Sequence, residues 1–222
     1  MSRSEFLEQA GGVFQSEFDY DHWSGTEKWE NFWAFFLDED YGWVTSLYGE
    51  ISINKLRRHH RHSIEHIIPR STLVEFLSKT DVNQYVLNGA TTNPFNLAPS
   101  DRYLNKTRSN VPFDLDGDRV NRPFDIYLNP AAKGKTGLDS DMEWVVPCHS
   151  RGNIARAVLY MVTVYNLDAL YEGQYEILTD WATYDPPTDW EKAYNQWIET
   201  KFGICNPLIM LPIETFDWFG VT

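Results

Sequence analysis

Apolar residues recur at helical spacing in several parts of the chain, most clearly in residues 151–165. There Ile154, Val158, Met161 and Tyr165 follow one another three or four positions apart. Such spacing brings apolar side chains to one face of an α-helix. The sequence therefore predicts a helix over the whole stretch RGNIARAVLYMVTVY.

Residues 188–202 carry a second helical pattern with a defined start and end. Thr188 or Asp189 can cap the first turn, and Gly203 follows the last periodic residue, as is common at helix ends. A helix is predicted at residues 99–108, where Ser100 or Asp101 can cap the first turn and Leu104 lies on the inner side. Residues 71–87 are predicted to form a short helix, capped by Ser71 or Thr72, and then a loop. Another helix is predicted at residues 29–40.

Strand patterns are shorter than the helical ones. Residues 51–62 open with isoleucines that alternate with polar residues, which predicts a short strand. Residues 63–69, SIEHIIP, combine β-branched residues with a final proline, which predicts a strand that runs into a turn. Residues 111–147 are rich in Asp, Pro, Asn and Gly, which favours loops with short strands. The pattern as a whole predicts an α+β fold that is mostly helical.

Composition narrows the class of protein. A chain of 222 residues with 42% hydrophobic and 15% aromatic residues has enough apolar surface for a packed domain, which excludes a disordered chain. No stretch approaches about 18 uninterrupted apolar residues, the length that a membrane span needs. The two cysteines, Cys148 and Cys205, either form one disulfide or are buried as small hydrophobic residues.

Charge is distributed unevenly along the chain. Residues 1–50 hold 2 Lys/Arg and 11 Asp/Glu, a net of −9, and residues 111–222 hold 8 and 17, again −9. Residues 51–110 hold 9 and 4, a net of +5. The total of −13 argues against a polyanionic partner, but a local positive field can still steer one to the central segment.

The same central segment contains the residues best suited to chemistry. Glu65 directly precedes His66, and Asn105 lies ahead of an Arg-Ser-Asn run. A carboxylate and an amide oxygen suit a hard divalent cation, and a histidine can act as a general base toward water. A strand that carries a histidine, followed by a helix that carries an asparagine, is the layout of the ββα-metal nucleases.

Four stretches in order give this interpretation a family. SIEHIIPRS, NPFNLAPSDRYLNKTRSNVPF, RGNIARAVLYMVTVY and DPPTDWEKAYNQWIETKFGICNPLI resemble the signature stretches of the endonuclease I family, over roughly residues 60–212. That family contains non-specific nucleases of the ββα-metal, or HNH-like, superfamily. The resemblance implies a ββα-metal motif within the mostly helical domain, and hydrolysis of DNA, or alternatively RNA, to 5′-phosphate and 3′-hydroxyl ends.

The resemblance also implies roles for individual residues. Mg²⁺ is the expected cofactor, with Mn²⁺ or Ca²⁺ able to take its place. The implied roles are metal binding by Glu65 and Asn105, general base for His66, orientation of that histidine by Asn96, phosphate contact by Arg108 within the catalytic set, and for Arg156 a structural role or at most a phosphate contact.

Other parts of the chain depart from the family. Asn93-Pro94-Phe95 stands where members usually have Asp-Leu-His, and residues 1–50 do not resemble the family. We therefore predict an acidic, aromatic-rich segment, 1–50, packed on a nuclease domain, 51–222. Relatives are often periplasmic or secreted, yet the first residues lack the apolar region of a signal peptide, which predicts an intracellular protein unless a signal was removed.

A zinc peptidase is the main rival enzyme class. His62, Glu65 and His66 match the H-x-x-E-H pattern, in which two histidines one helical turn apart hold zinc. The isoleucines and the proline around them disfavour the helix that this site requires. An inactive or inhibited nuclease fold that binds a partner within a larger assembly is the alternative outside enzymology.

Arginines upstream of the site are the expected nucleic-acid contacts. Arg57, Arg58 and Arg61 lie in the run RRHHRH, and with Arg108 they are predicted to contact phosphates. No base-reading module is visible, so little sequence preference is expected. A solvated basic turn is the competing interpretation of the run.

Overall fold

The computed structural model describes residues 1–13, 25–37, 44–49, 51–113, 137–138, 145–146 and 150–219. Contacts divide the chain into two compact units. The helical unit comprises Met1–Phe35, Arg70–Asn96 and Gly152–Thr222, and the strand unit comprises Phe36–Pro69 and Leu97–Arg151. The predicted division into residues 1–50 and 51–222 stays a prediction.

The helical unit is built around one buried helix. Its helices are α1 (Arg3–Gln9), α2 (Gly25–Phe36), α4 (Arg70–Leu77), α5 (Gln84–Thr92), α7 (Arg151–Tyr165), α8 (Tyr175–Tyr184), α9 (Asp189–Phe202) and α10 (Pro207–Met210). The last residue of α2, Phe36, lies at the boundary with the strand unit. The predicted helix over 151–165 is confirmed as α7. Every residue from Ile154 to Tyr165 is buried, so this helix is enclosed on all sides.

Local signals also place α9 correctly. The Thr188 side chain accepts a hydrogen bond from the Glu191 backbone N–H, and Gly203 ends the helix in the left-handed conformation at φ 69°. Both ends are therefore where the sequence predicted them. Aromatic residues of α2 pack on this helix: the Phe35 ring lies 5.0 Å from that of Tyr194.

The strand unit holds α3 (Ile53–Arg58), β1 (His62–His66), β2 (Leu97–Asp101), α6 (Arg102–Arg108), β3 (Gly137–Leu138) and β4 (Val145–Val146). β1 and β2 pair antiparallel, with His62 opposite Asp101 and His66 opposite Leu97. Asp101 then caps α6 by accepting from the backbone N–H groups of Tyr103 and Leu104. Two strands and a helix thus lie together, and the predicted α+β class with short strands is confirmed.

Several predicted elements were wrong in kind or in extent. Residues 53–58 form a helix rather than a strand, because the Ser52 side chain caps the Lys55 N–H and because Ile53 and Leu56 are buried on one side. The predicted loop before residue 87 ends early, since Asn83 caps α5 at Gln84. The predicted helix 99–108 begins only at Arg102, because Leu97–Asp101 pairs with β1.

Most of the predicted loop region 111–147 lies outside the described residues. Within it, β3 and β4 pair antiparallel, as the prediction of short strands requires. Cys148 also lies outside, while the Cys205 thiol donates to the backbone oxygen of Gln9 at 3.0 Å. In the parts of the chain that the structure describes, no helix is long and apolar enough to cross a membrane.

Candidate active site

Helix α6 is attached to strand β1 by the side chain of Asn105. The Asn105 Nδ2 group donates to the Ser63 Oγ at 3.1 Å and to the Ile64 backbone oxygen at 2.8 Å. Ser63 and Glu65 project from the same face of β1, because side chains alternate along a strand. These two bonds occupy the amide nitrogen of Asn105 and leave its Oδ1 as the atom able to bind a further ligand.

Glu65 is buried and tightly held. The residue is 2% exposed, and its Oε1 accepts from the Tyr48 hydroxyl at 2.8 Å and from Arg108 at 2.6 Å. Burial raises the pKa of Glu65 to about 7, while the charge of Arg108 and the two hydrogen bonds oppose the rise. Both bonds fall on Oε1, so Oε2 is the oxygen that Glu65 can offer to a cation.

Metal-free protein should lose stability as the pH rises from about 4.5 to about 7. In this window folded Glu65 keeps a proton that the unfolded chain has released, so raising the pH favours unfolding. The slope contributed is at most about 1.4 kcal/mol per pH unit. Urea unfolding in EDTA should show this slope in wild type and not in Glu65→Gln. Identical slopes would contradict the raised pKa.

Arg108 supports both Glu65 and the end of β1. Its side chain is 1% exposed and lies over the Phe113 ring at 4.5 Å. Besides Glu65, it donates to the backbone oxygens of His66 at 2.8 Å, Ile67 at 2.8 Å and Val111 at 2.7 Å. A guanidinium has five N–H groups, and at least four of these are directed at oxygens of the described residues.

The buried contacts of Arg108 bear on its expected use. The sequence predicted that it contacts phosphate as a catalytic residue. A phosphate contact would require the buried bonds to Glu65 and to the strand end to open. The conformation instead gives Arg108 a positioning role, and its contact with phosphate stays a prediction that this geometry does not favour.

His66 is the last residue of β1 and is half-buried. The strand therefore ends at the proposed base, directly after the proposed ligand. Asn96 is buried and immediately precedes β2, whose first residue, Leu97, is the register partner of His66. The orienting role expected for Asn96 stays a prediction.

Donor chemistry at β1 and α6 fits a hard divalent cation. Glu65 Oε2 and Asn105 Oδ1 are oxygen donors, and Mg²⁺ is commonly held by one or two such groups while it keeps several waters. Among the described residues no group of three or more His, Cys, Asp or Glu side chains could hold a metal. A cation at this site would therefore rely on these two protein oxygens.

Strand geometry removes the zinc-peptidase interpretation. His62 and His66 both lie on β1, where four residues span about 13 Å. On a helix the same spacing rises only about 6 Å and brings both side chains to one face. The H-x-x-E-H pattern is thus a coincidence of sequence.

The predicted basic contacts divide into two kinds. Arg57 and Arg58 are exposed at the C-terminal end of α3, where their charge also favours the helix dipole. Arg61 pairs with the buried Asp101 at 3.0 Å and lies over the exposed Tyr103 ring at 4.6 Å. The first two are free to meet a ligand from solvent, whereas Arg61 already stabilises the start of α6.

Sequence reasoning missed two residues of the site. Tyr48 lies 17 positions before Glu65 in a segment without family resemblance, so no sequence signal links the two. Ser63 is the first residue of the motif SIEHIIPRS. Only strand alternation, which puts Ser63 and Glu65 on the same face of β1, could have indicated its contact with Asn105.

Arg156 has the structural role that was expected. It is 1% exposed and binds both carboxylate oxygens of Glu191, at 2.8 and 2.9 Å. It also donates to the Asp185 backbone oxygen at 2.6 Å. The network joins α7 to α9 within the helical unit.

Comparison with known families decides the affiliation. The family model described as Endonuclease I matches residues 52–213, which is most of the chain. The chain belongs to the endonuclease I family. The match includes β1, β2 and α6 of the endonuclease I site, and it begins after Tyr48. A search of curated proteins finds no match to the chain.

Proposed function

We propose that this endonuclease I family member is a metal-dependent endonuclease that cleaves DNA with little sequence preference. The observation that carries the proposal is the joint placement of Glu65 and Asn105 between β1 and α6, next to His66 at the strand end. In a chain of a nuclease family, this set supplies a cation site and a general base. RNA is the alternative substrate.

In the proposed reaction, His66 accepts a proton from the water that attacks the scissile phosphorus. The water oxygen forms a new bond to phosphorus while the bond to the 3′ oxygen breaks, and that oxygen leaves with a proton from solvent to become the 3′-hydroxyl. The other product end carries the 5′-phosphate. A nucleophilic side chain is not needed, because water is the nucleophile.

Glu65 and Asn105 would hold the cation through one carboxylate and one amide oxygen. When bound, Mg²⁺ would offset the negative charge that develops at the phosphate and at the leaving oxygen. Arg108 keeps the Glu65 carboxylate in place through the 2.6 Å bond. Hard oxygen donors also suit Mn²⁺ and Ca²⁺, so the ion is decided by experiment.

Metal removal is the direct test of this proposal. Plasmid DNA should be nicked and degraded with Mg²⁺ or Mn²⁺, and EDTA should abolish cleavage until metal is restored. Glu65→Gln and Asn105→Ala should weaken Mg²⁺ binding in calorimetric titration. Glu75→Gln is the matched control, because Glu75 is an exposed carboxylate on α4 that pairs with the exposed Lys79.

Two results would overturn the proposal. Undiminished cleavage in EDTA would remove the metal from the reaction. Metal-independent DNA binding without cleavage, at any concentration of Mg²⁺ or Mn²⁺, would favour a binding component built on a nuclease fold. Cleavage of RNA alone in the same assay would change the substrate and leave the chemistry in place.

Phosphate contacts by Arg57 and Arg58 should appear in the salt dependence of binding. Each released counterion adds roughly 0.9 to the slope of log K against log salt on duplex DNA. The Arg57→Glu/Arg58→Glu double variant should therefore flatten the slope by about 2. Fluorescence anisotropy with labelled duplexes in EDTA measures it.

A matched variant separates contact from net charge. Lys79→Glu/Lys192→Glu makes the same change in charge at two exposed lysines elsewhere in the chain. It should leave the slope nearly unchanged. Equal slopes in wild type and in the double arginine variant would mean that the run RRHHRH is a solvated turn that does not contact phosphate.

A further inference from the structure

Tyr48 contacts the proposed metal ligand from outside the region that the family match covers. The matched residues begin at position 52, and Tyr48 lies four residues earlier. Its hydroxyl donates to Glu65 Oε1 at 2.8 Å, and its side chain is fully buried. The contact therefore lies outside the region that the family match covers.

The backbone around Tyr48 is anchored to the same strands. The Leu47 N–H donates to the Pro99 backbone oxygen of β2 at 2.9 Å, and the Ser46 Oγ accepts from the Asp101 N–H at 3.3 Å. Thr45 forms a β-bridge with Ser52. These bonds hold the Tyr48 segment against β2, so backbone hydrogen bonds fix the position of the Tyr48 hydroxyl.

Two donors on one oxygen define how Glu65 can bind a cation. Tyr48 and Arg108 both donate to Oε1, and no donor in the described part of the chain is directed at Oε2. A carboxylate that must use both oxygens for a cation would have to give up these two buried bonds. Mg²⁺ accepts single carboxylate oxygens and keeps its waters, whereas Ca²⁺ often takes both oxygens of a carboxylate.

We propose that Tyr48 is a positioning residue that makes Glu65 a one-oxygen ligand and so favours Mg²⁺ over Ca²⁺. The inference rests on the proposed function, because it takes Glu65 as a metal ligand. Tyr48 touches neither substrate nor cation. It acts through Glu65, together with the Arg108 guanidinium that lies over Phe113.

Removal of the hydroxyl by Tyr48→Phe should alter ion preference. Calorimetric titration of Mg²⁺ and of Ca²⁺ into DNA-free protein should show Mg²⁺ affinity reduced about tenfold, the usual scale for a partner that orients a metal ligand. Ca²⁺ affinity should change less, because Oε1, left with the Arg108 bond, is then easier to engage as a second oxygen. Tyr165→Phe is the control, since Tyr165 is a buried tyrosine whose hydroxyl accepts from Asn93 in the helical unit.

The outcomes separate this inference from the proposed function. If wild type binds Mg²⁺, Glu65→Gln loses it and Tyr48→Phe matches wild type for both ions, the Tyr48 inference fails and the proposed function stands. Equal weakening for both ions means a merely structural role and also overturns the inference. If wild type binds neither ion, the proposed function fails and the inference fails with it.

A measurement on wild type covers the case in which Tyr48→Phe does not fold. Infrared difference spectra of metal-loaded against metal-free protein report whether a carboxylate binds through one oxygen or two. The Glu65 band is identified by subtracting the same spectrum of Glu65→Gln. A one-oxygen signature with Mg²⁺ is expected, and a two-oxygen signature would overturn the inference.

Discussion

Replacement of His66 by alanine should reduce the rate of DNA cleavage by about 10²–10⁴-fold, the usual contribution of a positioned general base. DNA binding and Mg²⁺ binding should stay close to wild type, because His66 is neither a proposed ligand nor part of the basic run. Single-turnover cleavage of a labelled duplex at saturating Mg²⁺ measures the rate. Calorimetric titration measures the metal affinity on the same preparations.

His59→Ala is the matched control for this prediction. His59 is an exposed histidine that follows α3 directly, so its removal should leave the rate within about twofold of wild type, as expected for a surface change without a catalytic role. A His66→Ala variant that loses Mg²⁺ but cleaves normally at saturating metal would reverse the roles of His66 and Glu65. An unchanged rate at all metal concentrations would remove His66 from the reaction.

The Arg108→Met variant should lose about 3–5 kcal/mol of stability, because it leaves the buried Glu65 carboxylate without its charged partner. It should also bind Mg²⁺ more weakly, because the bond to Glu65 Oε1 and the bonds to the His66 and Ile67 oxygens are lost together. Urea unfolding measures the first effect. Titration of Mg²⁺ at low temperature, where the folded state is retained, measures the second.

Arg156→Met is the control that isolates the site. Arg156 and Glu191 form an equally buried pair at 2.8 Å in the helical unit, so this variant should lose similar stability. Its Mg²⁺ affinity should stay at the wild-type value. If Arg108→Met kept stability and metal affinity and lost only DNA affinity or cleavage rate, Arg108 would be a phosphate contact, as the sequence first predicted.

Elements with local signals were predictable from sequence. Helices α7 and α9 both have apolar residues at helical spacing. For α9, the capping residues at the two ends also lie in the helix or directly beside it. The cap of α6 by Asp101 is likewise local, since the donors lie two and three residues away. Where the contacts that decide an element lie within one or two helical turns, the local sequence is sufficient to predict that element.

Helix α3 and the start of α6 show where local reading failed. The alternation in residues 51–54 is too short to distinguish a strand from a capped helix, and the Ser52 cap decided it. Residues 99–101 directly precede a helix, and two of them, Ser100 and Asp101, are capping candidates. Pairing with β1, more than thirty residues earlier in the chain, makes them a strand.

The sequence by itself determined to which family the chain belongs. It also named Glu65, His66 and Asn105 as candidate residues, because they stand in stretches whose order along the chain resembles that family. Only the tertiary structure decided how they are held. Tyr48 and Arg108 reach Glu65 from 17 and 43 positions away, and no periodicity or spacing encodes contacts that arise when distant segments share one buried carboxylate.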